Sequence, residues 1–173
     1  MNFLPIESAI NSWKARRAEI AGLGFNATHL AEIENHVLRS TVLLMVSEYE
    51  EYIEKLFIKR AARTNDQHIH NFFVKHMDRK FRNPNLGKIN EMLGQMGGTY
   101  RQAFQDRVEV NNPHVKASWD SILTARHAIA HKENAGVINL SWQDLENAVT
   151  NTRLVLEALA DALQLTALDL QNL

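Results

Sequence analysis

Apolar side chains recur at intervals of three and four residues over one long stretch of the chain, from Thr28 to about Arg63. Six glutamates between Glu32 and Glu54 interrupt this apolar series. A helix has about 3.6 residues per turn, so this spacing places the apolar side chains along one face and leaves another face to solvent. The pattern therefore predicts a long amphipathic helix. Its apolar positions are Leu30, Ile33, Val37, Leu44, Met45, Tyr49, Tyr52, Ile53, Leu56 and Phe57.

Helical spacing and helix-ending residues divide the rest of the chain into further helices. The first predicted helix runs from Pro5 to Ala21, and another begins after a Thr64-Asn65-Asp66 cap. Two short helices follow, one from Lys88 to Gln95 and one of a turn or two from Tyr100 to Val108. The last two run from a capping Asn112 and Pro113 to about His131, and from a Ser141–Asp144 capping box to about Leu163. Alternation with period two is confined to Gly136–Leu140, which is too short to predict a strand. The predicted fold is an all-α bundle with two long helices plus shorter ones.

The large aromatic side chains are expected to pack inside this bundle. One face of the helix after Asp66 carries three large apolar side chains at helical spacing, which are expected to be buried: Phe72, Phe73 and Met77. Trp13, Trp119 and Trp142 are assigned to packing as well. The last residues, 166–173, are expected to form either a frayed tail or a small contact segment.

Composition narrows the class of protein. The chain has 173 residues, about the length of one domain, and 45% of them are hydrophobic. Its 19 Lys and Arg against 20 Asp and Glu exclude a strongly basic nucleic-acid coat over the whole chain. Cysteine is absent, which excludes disulfides, cysteine zinc sites and thiol catalysis and suits a reducing cytosol. The longest apolar run, Val42 to Val46, is far shorter than the roughly 20 residues that span a bilayer. We therefore expect a soluble, cytoplasmic protein that does not contact a membrane.

One local stretch is nevertheless basic. Residues 68–88 contain five cations against the single acid Asp78, with phenylalanines between them. Two interpretations stay open for this stretch, a rim that contacts RNA phosphates and a solvated surface. The cations are Lys75, Arg79, Lys80, Arg82 and Lys88.

The segment from Arg126 to His131 places one arginine and two histidines near the end of a predicted helix. A structural interpretation is an ion pair for Arg126 and histidines favoured by the helix dipole. His127 and His131 are four residues apart and share a helix face, but Ala128 stands where a zinc-protease motif needs glutamate, and no third ligand follows. We therefore expect neither a metal nor another cofactor.

A third interpretation is acid–base chemistry on a phosphodiester. Histidine titrates near neutrality and suits proton transfer at His131, whereas the fork-shaped, permanently charged guanidinium of Arg126 suits the phosphoryl oxygens. Five residues correspond to about 140° of rotation around a helix, so these two side chains do not share a face. The helix must then end or bend near His131, or a second copy of the chain must complete the site.

Several motifs of the chain resemble those of the HEPN superfamily. The run Arg126-His-Ala-Ile-Ala-His131 matches the R-x4-6-H motif of that superfamily, with His127 as the polar residue after the arginine. It lies on the predicted penultimate helix, before Ser141-Trp-Gln-Asp-Leu. The stretch from Leu43 to Leu56 is similar to the long first helix of the RiboL-PSP-HEPN branch or its MAE-type relatives. The resemblance covers roughly residues 28–163.

The resemblance implies an all-α HEPN-like helical bundle that forms a two-fold homodimer, in which the motif helices of two protomers build one composite cleft. It implies a metal-independent endoribonuclease, commonly a toxin or an antiphage effector. His131 would activate the ribose 2′-hydroxyl or protonate the leaving 5′-oxygen, Arg126 would hold the scissile phosphate, and His127 would orient it. Glu51 resembles a recurrent acid that braces the arginine. The products would carry 2′,3′-cyclic phosphate and 5′-hydroxyl ends, so DNA would be spared.

Two departures from the family pattern keep an alternative open. Lys132 stands where glycine often follows the histidine, and Glu133 stands where some family toxins carry a modified tyrosine. The alternative is a non-catalytic dimerisation or RNA-binding module that serves a separate enzyme or a toxin–antitoxin partner. A toxin of this kind is expected to have an antitoxin protein as its partner. A third interpretation is that the chain is itself an antitoxin or immunity protein whose helices cover another protein. The predicted domain division is a peripheral N-terminal helix in residues 1–24, the HEPN-like domain in residues 25–165, and a C-terminal tail in residues 166–173.

Overall fold

The computed structural model describes the backbone of residues 4–80, 84–131 and 140–171, and the side chains of the same ranges except residues 4, 76–80 and 171. The described chain folds into helices and contains no strand, which confirms the all-α prediction. None of its helices is long and apolar enough to cross a membrane. The helices are α1 (Leu4–Gly22), α2 (Ala27–Ala62), α3 (Gln67–Lys80), α4 (Leu86–Met96), α5 (Gly98–Gln105), a π-helical turn (Asp106–Val110), α6 (Pro113–Ala130), α7 (Trp142–Ala162) and α8 (Ala167–Gln171).

Three helices, α2, α6 and α7, surround the centre of the core. The Nε1 of Trp142 donates to Glu34 at 3.0 Å near the start of α2, and an Arg63 Nη donates to the Gln164 carbonyl at 2.6 Å near its end. These two contacts show that α2 and α7 run parallel. Ile122 lines one groove with Leu140 and the first turns of α7, so α6 and α7 form an antiparallel hairpin. α6 therefore runs antiparallel to α2 as well.

The first helix packs into the same core. Ile6, Ile10 and Trp13 are buried, and the Trp13 ring stacks on Trp142 with centroids 5.8 Å apart. Trp119 is also buried, so the prediction that the tryptophans pack inside the bundle is confirmed. The division of the chain at residue 24 stays a prediction, although α1 shares the hydrophobic core of the helices that follow.

Helix α3 departs from the expected burial. Phe72 is 59% exposed and Ile69 is 41% exposed, whereas Phe73 packs against the core. The prediction that Phe72 is buried is therefore wrong. α3 packs against α2, and Phe72 lies about 100° around α3 from Phe73, so the two side chains lie on different faces of the helix. The Met77 side chain lies outside the described residues.

Residues 166–170 form a contact segment rather than a frayed tail. The Thr166 backbone N–H donates to the Asp169 carboxylate at 2.7 Å, and the Thr166 hydroxyl donates to the same oxygen. Those bonds lower the pKa of Asp169. Asp169 also pairs with Arg63 at 3.2 Å, which ties α8 to the end of α2.

The helix caps follow the sequence in most places. The Asp66 carboxylate accepts the N–H of His68 at 2.8 Å and caps α3 as predicted. Asn112 was expected to cap α6, but its amide instead donates to the Arg107 carbonyl at 2.9 Å, which corrects that expectation. The preceding π-helical turn brings the Arg107 carbonyl within reach of this amide. Pro113 opens α6, where its missing N–H costs nothing.

The predicted capping box at the start of α7 is confirmed. The Ser141 hydroxyl accepts the Asp144 N–H at 3.1 Å, and the Asp144 carboxylate accepts the Ser141 N–H at 2.8 Å. Hydrogen bonds from the Ser141 hydroxyl and backbone hold the pKa of Asp144 below its ordinary value of 3.8. The box is therefore complete when this carboxyl group is ionised.

Replacing Ser141 by alanine is expected to lower the free energy of unfolding by about 1 kcal/mol at pH 7, because α7 loses its cap. The stabilisation by Asp144 is present above the ordinary carboxyl pKa and is lost as the pH falls through the lower pKa of the folded state. The difference in free energy of unfolding between wild type and variant should therefore become smaller in acid. Urea unfolding of both proteins at pH 7 and at acidic pH measures this difference. Ser40→Ala, at a mid-helix serine bonded to the His36 carbonyl, is the control and should change little. An equal loss in both variants would contradict the capping role.

Candidate functional site

Helix α6 separates the three candidate catalytic residues onto two faces. Arg126 lies four residues after Ile122 and seven after Trp119, so it continues the core-facing side of α6 and is half-buried. His127 and His131 lie on the outer side and are exposed. The structure thus brings the two histidines together and leaves the arginine apart from them.

The rings of the two histidines contact each other at the end of α6. Their ring centroids are 4.3 Å apart, with the planes tilted by 43°. The backbone N–H of His131 still donates to the His127 carbonyl at 3.0 Å, although His131 has left the helical backbone region with φ −93° and ψ 4°. The helix therefore ends near His131, which is one of the two arrangements that the sequence allows for bringing His131 and Arg126 together. The His131 ring nevertheless stays beside His127, so the end of the helix does not bring it to Arg126.

Trp119 determines the direction of α6. Its ring stacks on Tyr49 of α2 with centroids 5.4 Å apart, and its Nε1 donates to the Pro84 carbonyl at 3.0 Å. Burial raises the pKa of Tyr49, which keeps the phenol neutral in this contact. Trp119 thereby joins α6, α2 and the chain segment that leads into α4.

The structure does not bring Glu51 to Arg126 within one chain. The Glu51 side chain is 64% exposed and pairs with Lys55 at 2.8 Å. Trp119 of α6 contacts Tyr49 of α2, and the two helices run antiparallel. Arg126, seven residues after Trp119, therefore lies about 10 Å from Tyr49 in the direction of the start of α2. Glu51 lies on the other side of Tyr49, toward the end of α2. The expected bracing of the arginine is not what this geometry provides. Within the described residues, the Arg126 side chain makes no hydrogen bond or ion pair.

A cleft of about 360 Å³ opens beside the histidine pair. His127 lines it together with Asp120, Leu123 and Thr124 of α6 and with Asn85 at the start of α4. We call it the Asp120 cleft. Asn85 and Asp120 are far apart in the sequence. The hydrogen bond from Trp119 to the Pro84 carbonyl brings them together, because Pro84 directly precedes Asn85 and Trp119 directly precedes Asp120. No spacing rule links these two positions, so sequence reasoning missed the cleft.

Polar contacts hold the acid and the amide of this cleft. Asp120 pairs with Lys116 at 2.7 Å, one helical turn earlier, and the hydrogen bond and charge of Asp120 raise the pKa of Lys116. The Asn85 side-chain oxygen accepts the Lys88 N–H at 2.8 Å and caps α4. That bond orients the Asn85 amide and leaves its NH₂ group to donate.

A larger groove of about 650 Å³ separates α6 from α7 on another side of the hairpin. Hydroxyl and amide side chains line it, together with His114 near the start of α6. The candidate catalytic residues do not line this groove. In the part of the chain that the structure describes, no group of three or more acidic or histidine side chains is placed to hold a metal ion.

The structure describes the predicted basic rim in part. The Lys75 side chain is exposed on α3, and the Lys88 side chain is exposed in the first turn of α4. Arg79 and Lys80 lie within α3, but their side chains are outside the described residues. Arg82, Lys132 and Glu133 are outside the described residues altogether.

The family model RiboL-PSP-HEPN matches residues 6–165, which is nearly the whole chain. The chain belongs to the RiboL-PSP-HEPN family. The matched region of this RiboL-PSP-HEPN protein begins inside α1, at Ile6, and ends just before α8. No curated protein and no solved structure matches it significantly.

Replacing Trp119 by phenylalanine is expected to lower the free energy of unfolding by about 1–3 kcal/mol, because the buried Pro84 carbonyl loses its donor. Chemical denaturation measures this loss. Trp142→Phe is the matched control, since its Nε1 donates to the Glu34 carboxylate, which is partly exposed and can be hydrated. We expect a smaller loss in the control, and equal losses would contradict the anchoring role of Trp119.

Proposed function

We propose that this protein is a metal-independent endoribonuclease of the HEPN type that acts as a homodimer. HEPN domains commonly dimerise and act on RNA. The observation that carries the proposal is the exposed pair of His127 and His131, whose rings lie 4.3 Å apart beside the Asp120 cleft. Two adjacent imidazoles can supply both the base and the acid that cleavage of a phosphodiester needs.

The reaction uses the 2′-hydroxyl of RNA as the nucleophile. One imidazole accepts the proton of that hydroxyl while the 2′-oxygen bonds to phosphorus, and the bond from phosphorus to the 5′-oxygen breaks. The other imidazole gives a proton to the departing oxygen. The products are a 2′,3′-cyclic phosphate and a 5′-hydroxyl. In this scheme His131 is one acid–base group, and His127 orients the phosphate or serves as the second one.

Arg126 reaches this chemistry through the dimer. Its guanidinium suits the charge that develops on the phosphoryl oxygens. Within one chain, however, Arg126 and His131 point about 140° apart, and Arg126 is half-buried on the other side of α6. A two-fold arrangement of two α6 helices is the simplest way to face the arginine of one protomer toward the histidines of its partner.

Binding of the RNA strand is assigned to the basic rim. Exposed Lys75 and Lys88 supply cations for backbone phosphates, and Arg79, Lys80 and Arg82 continue the same stretch of sequence. Phe72 is exposed one turn before Lys75, and its ring provides a surface on which a base can stack. The rim thus combines the two features that single-stranded RNA binding uses.

The biological role that we propose is that of a toxin or an antiphage effector in the cytoplasm, restrained by an antitoxin protein. The alternative is a non-catalytic dimerisation or RNA-binding module for a separate enzyme. The separation of Arg126 from His131 within one chain favours this alternative if the protein does not dimerise.

Replacing His131 by alanine is expected to slow cleavage of total RNA by about 100- to 10,000-fold, because the reaction loses an acid–base group. Cleavage is measured with purified protein in EDTA, with the fragment ends mapped. His114→Ala is the control, since His114 is an exposed histidine of the same helix that lines the other groove. Full cleavage by His131→Ala would contradict the proposed site. A folded wild-type dimer that cleaves no RNA would favour the binding module.

Diluting the wild-type protein is expected to lower its cleavage rate per protomer, because a composite site dissociates with the dimer. Analytical ultracentrifugation gives the dissociation constant, and the activity should fall over the same range of concentration. Full activity in a monomeric sample would contradict the composite site while leaving the ribonuclease assignment intact.

A further inference from the structure

We propose that the Asp120 cleft binds a guanine base next to the scissile phosphate, so that the protein cleaves RNA preferentially beside guanosine. This inference rests on the proposed ribonuclease function and adds a base specificity to it. It uses one acid and one amide, Asp120 and Asn85, which lie outside the segment from Arg126 to His131.

The cleft has the size and the lining of a base-binding pocket. Its volume of about 360 Å³ falls in the range of small-molecule sites, roughly 300–1,000 Å³. Leu123 supplies apolar surface for the face of a planar ring, and Asp120, Thr124 and Asn85 supply polar groups around it. A mixture of one apolar wall and a few polar groups is what fixes the orientation of a small planar ligand.

The carboxylate of Asp120 distinguishes guanine from the other bases. A carboxylate only accepts hydrogen bonds, and its two oxygens suit two parallel donors. Guanine presents two such donors side by side, the N1–H and the N2 amino group. Adenine and cytosine present one donor beside an acceptor nitrogen, and uracil presents one donor between two carbonyl oxygens. Each of these three bases would therefore place an acceptor atom against one carboxylate oxygen, and the two lone pairs would repel each other.

The Asn85 amide completes this recognition. Its side-chain oxygen is engaged by the Lys88 N–H at 2.8 Å, so its NH₂ group is the part that can donate to a ligand. On guanine the O6 acceptor lies next to N1–H, on the edge that Asp120 would hold. Lys116, 2.7 Å from Asp120, keeps a cation beside the carboxylate and reduces its repulsion of RNA phosphates.

The cleft lies at a suitable distance from the histidines. His127 lines it and stands two helical turns after Asp120, about 10 Å along α6. A single nucleotide spans this length from the pairing edge of its base to a flanking phosphate. A guanine held at Asp120 therefore places one of its two flanking phosphates at the histidine pair.

The test compares wild type with Asp120→Asn on an RNA that contains all dinucleotides, with fragment ends mapped. Wild type should cut beside guanosine at least about tenfold faster than beside other bases, since a bidentate contact is worth about ten- to a hundredfold in discrimination. The amide introduced by Asp120→Asn offers one acceptor and one donor, a pattern that the pairing edge of every base can meet. The variant should therefore lose the preference for guanosine.

Glu91→Gln is the matched control, because it removes one exposed carboxylate charge from α4 outside the cleft. This control should keep the wild-type pattern. Wild-type cleavage without a guanosine preference, or an unchanged preference in Asp120→Asn, would overturn the subsite and leave the ribonuclease function standing.

A binding measurement tests whether the Asp120 cleft binds guanine even if the protein cleaves no RNA. Titration calorimetry with guanosine and inosine monophosphates compares two ligands that differ only by the N2 amino group. Binding to the wild type should weaken by about tenfold from the first ligand to the second, and Asp120→Asn should remove this difference. Equal binding of the two ligands by the wild type would overturn the proposal. An absence of cleavage together with this difference would refute the nuclease and retain the guanine site.

Discussion

The contacts of Trp119 determine most of what this structure places near its candidate site. The indole stacks on Tyr49 in the core and donates to the Pro84 carbonyl, so one side chain holds α6 against α2 and also holds the start of α4. An indole is large and apolar but carries a single donor, which must be satisfied when it is buried. The rotation of α6 that satisfies this donor also turns Arg126 toward the core and the histidines toward solvent.

That rotation has a chemical consequence. α6 presents the tilted histidine pair on its outer face and carries Arg126 on its other side. The groups that the proposed mechanism uses for proton transfer and for phosphate binding are therefore separated within one chain. In the proposed mechanism each chain therefore supplies half of a phosphodiester site, and a second protomer would supply the other half. The same link through Pro84 brings Asn85 to the cleft beside the histidines.

The sequence predicted the elements well and the exposure of individual side chains less well. The long α2, the capping box of α7 and the helix that ends near His131 follow from local spacing and capping chemistry, which act within a few residues. The helical spacing of Phe72 predicts burial, but Phe72 lies on a face of α3 that stays exposed. Glu51 was expected to reach the arginine, yet its partner is Lys55, one turn away on its own helix.

By itself, the sequence determined the helical class, the order of the helices and the residue types that can perform acid–base chemistry, because periodicity and capping are local properties. The family match supports the helical class over residues 6–165. Only the tertiary structure decided where those residues face and which distant residues meet. The half-burial of Arg126, the exposure of the two histidines and the approach of Asn85 to Asp120 depend on how α6 is rotated against α2 and α4. That rotation results from packing between residues far apart in the chain, for which no local pattern exists.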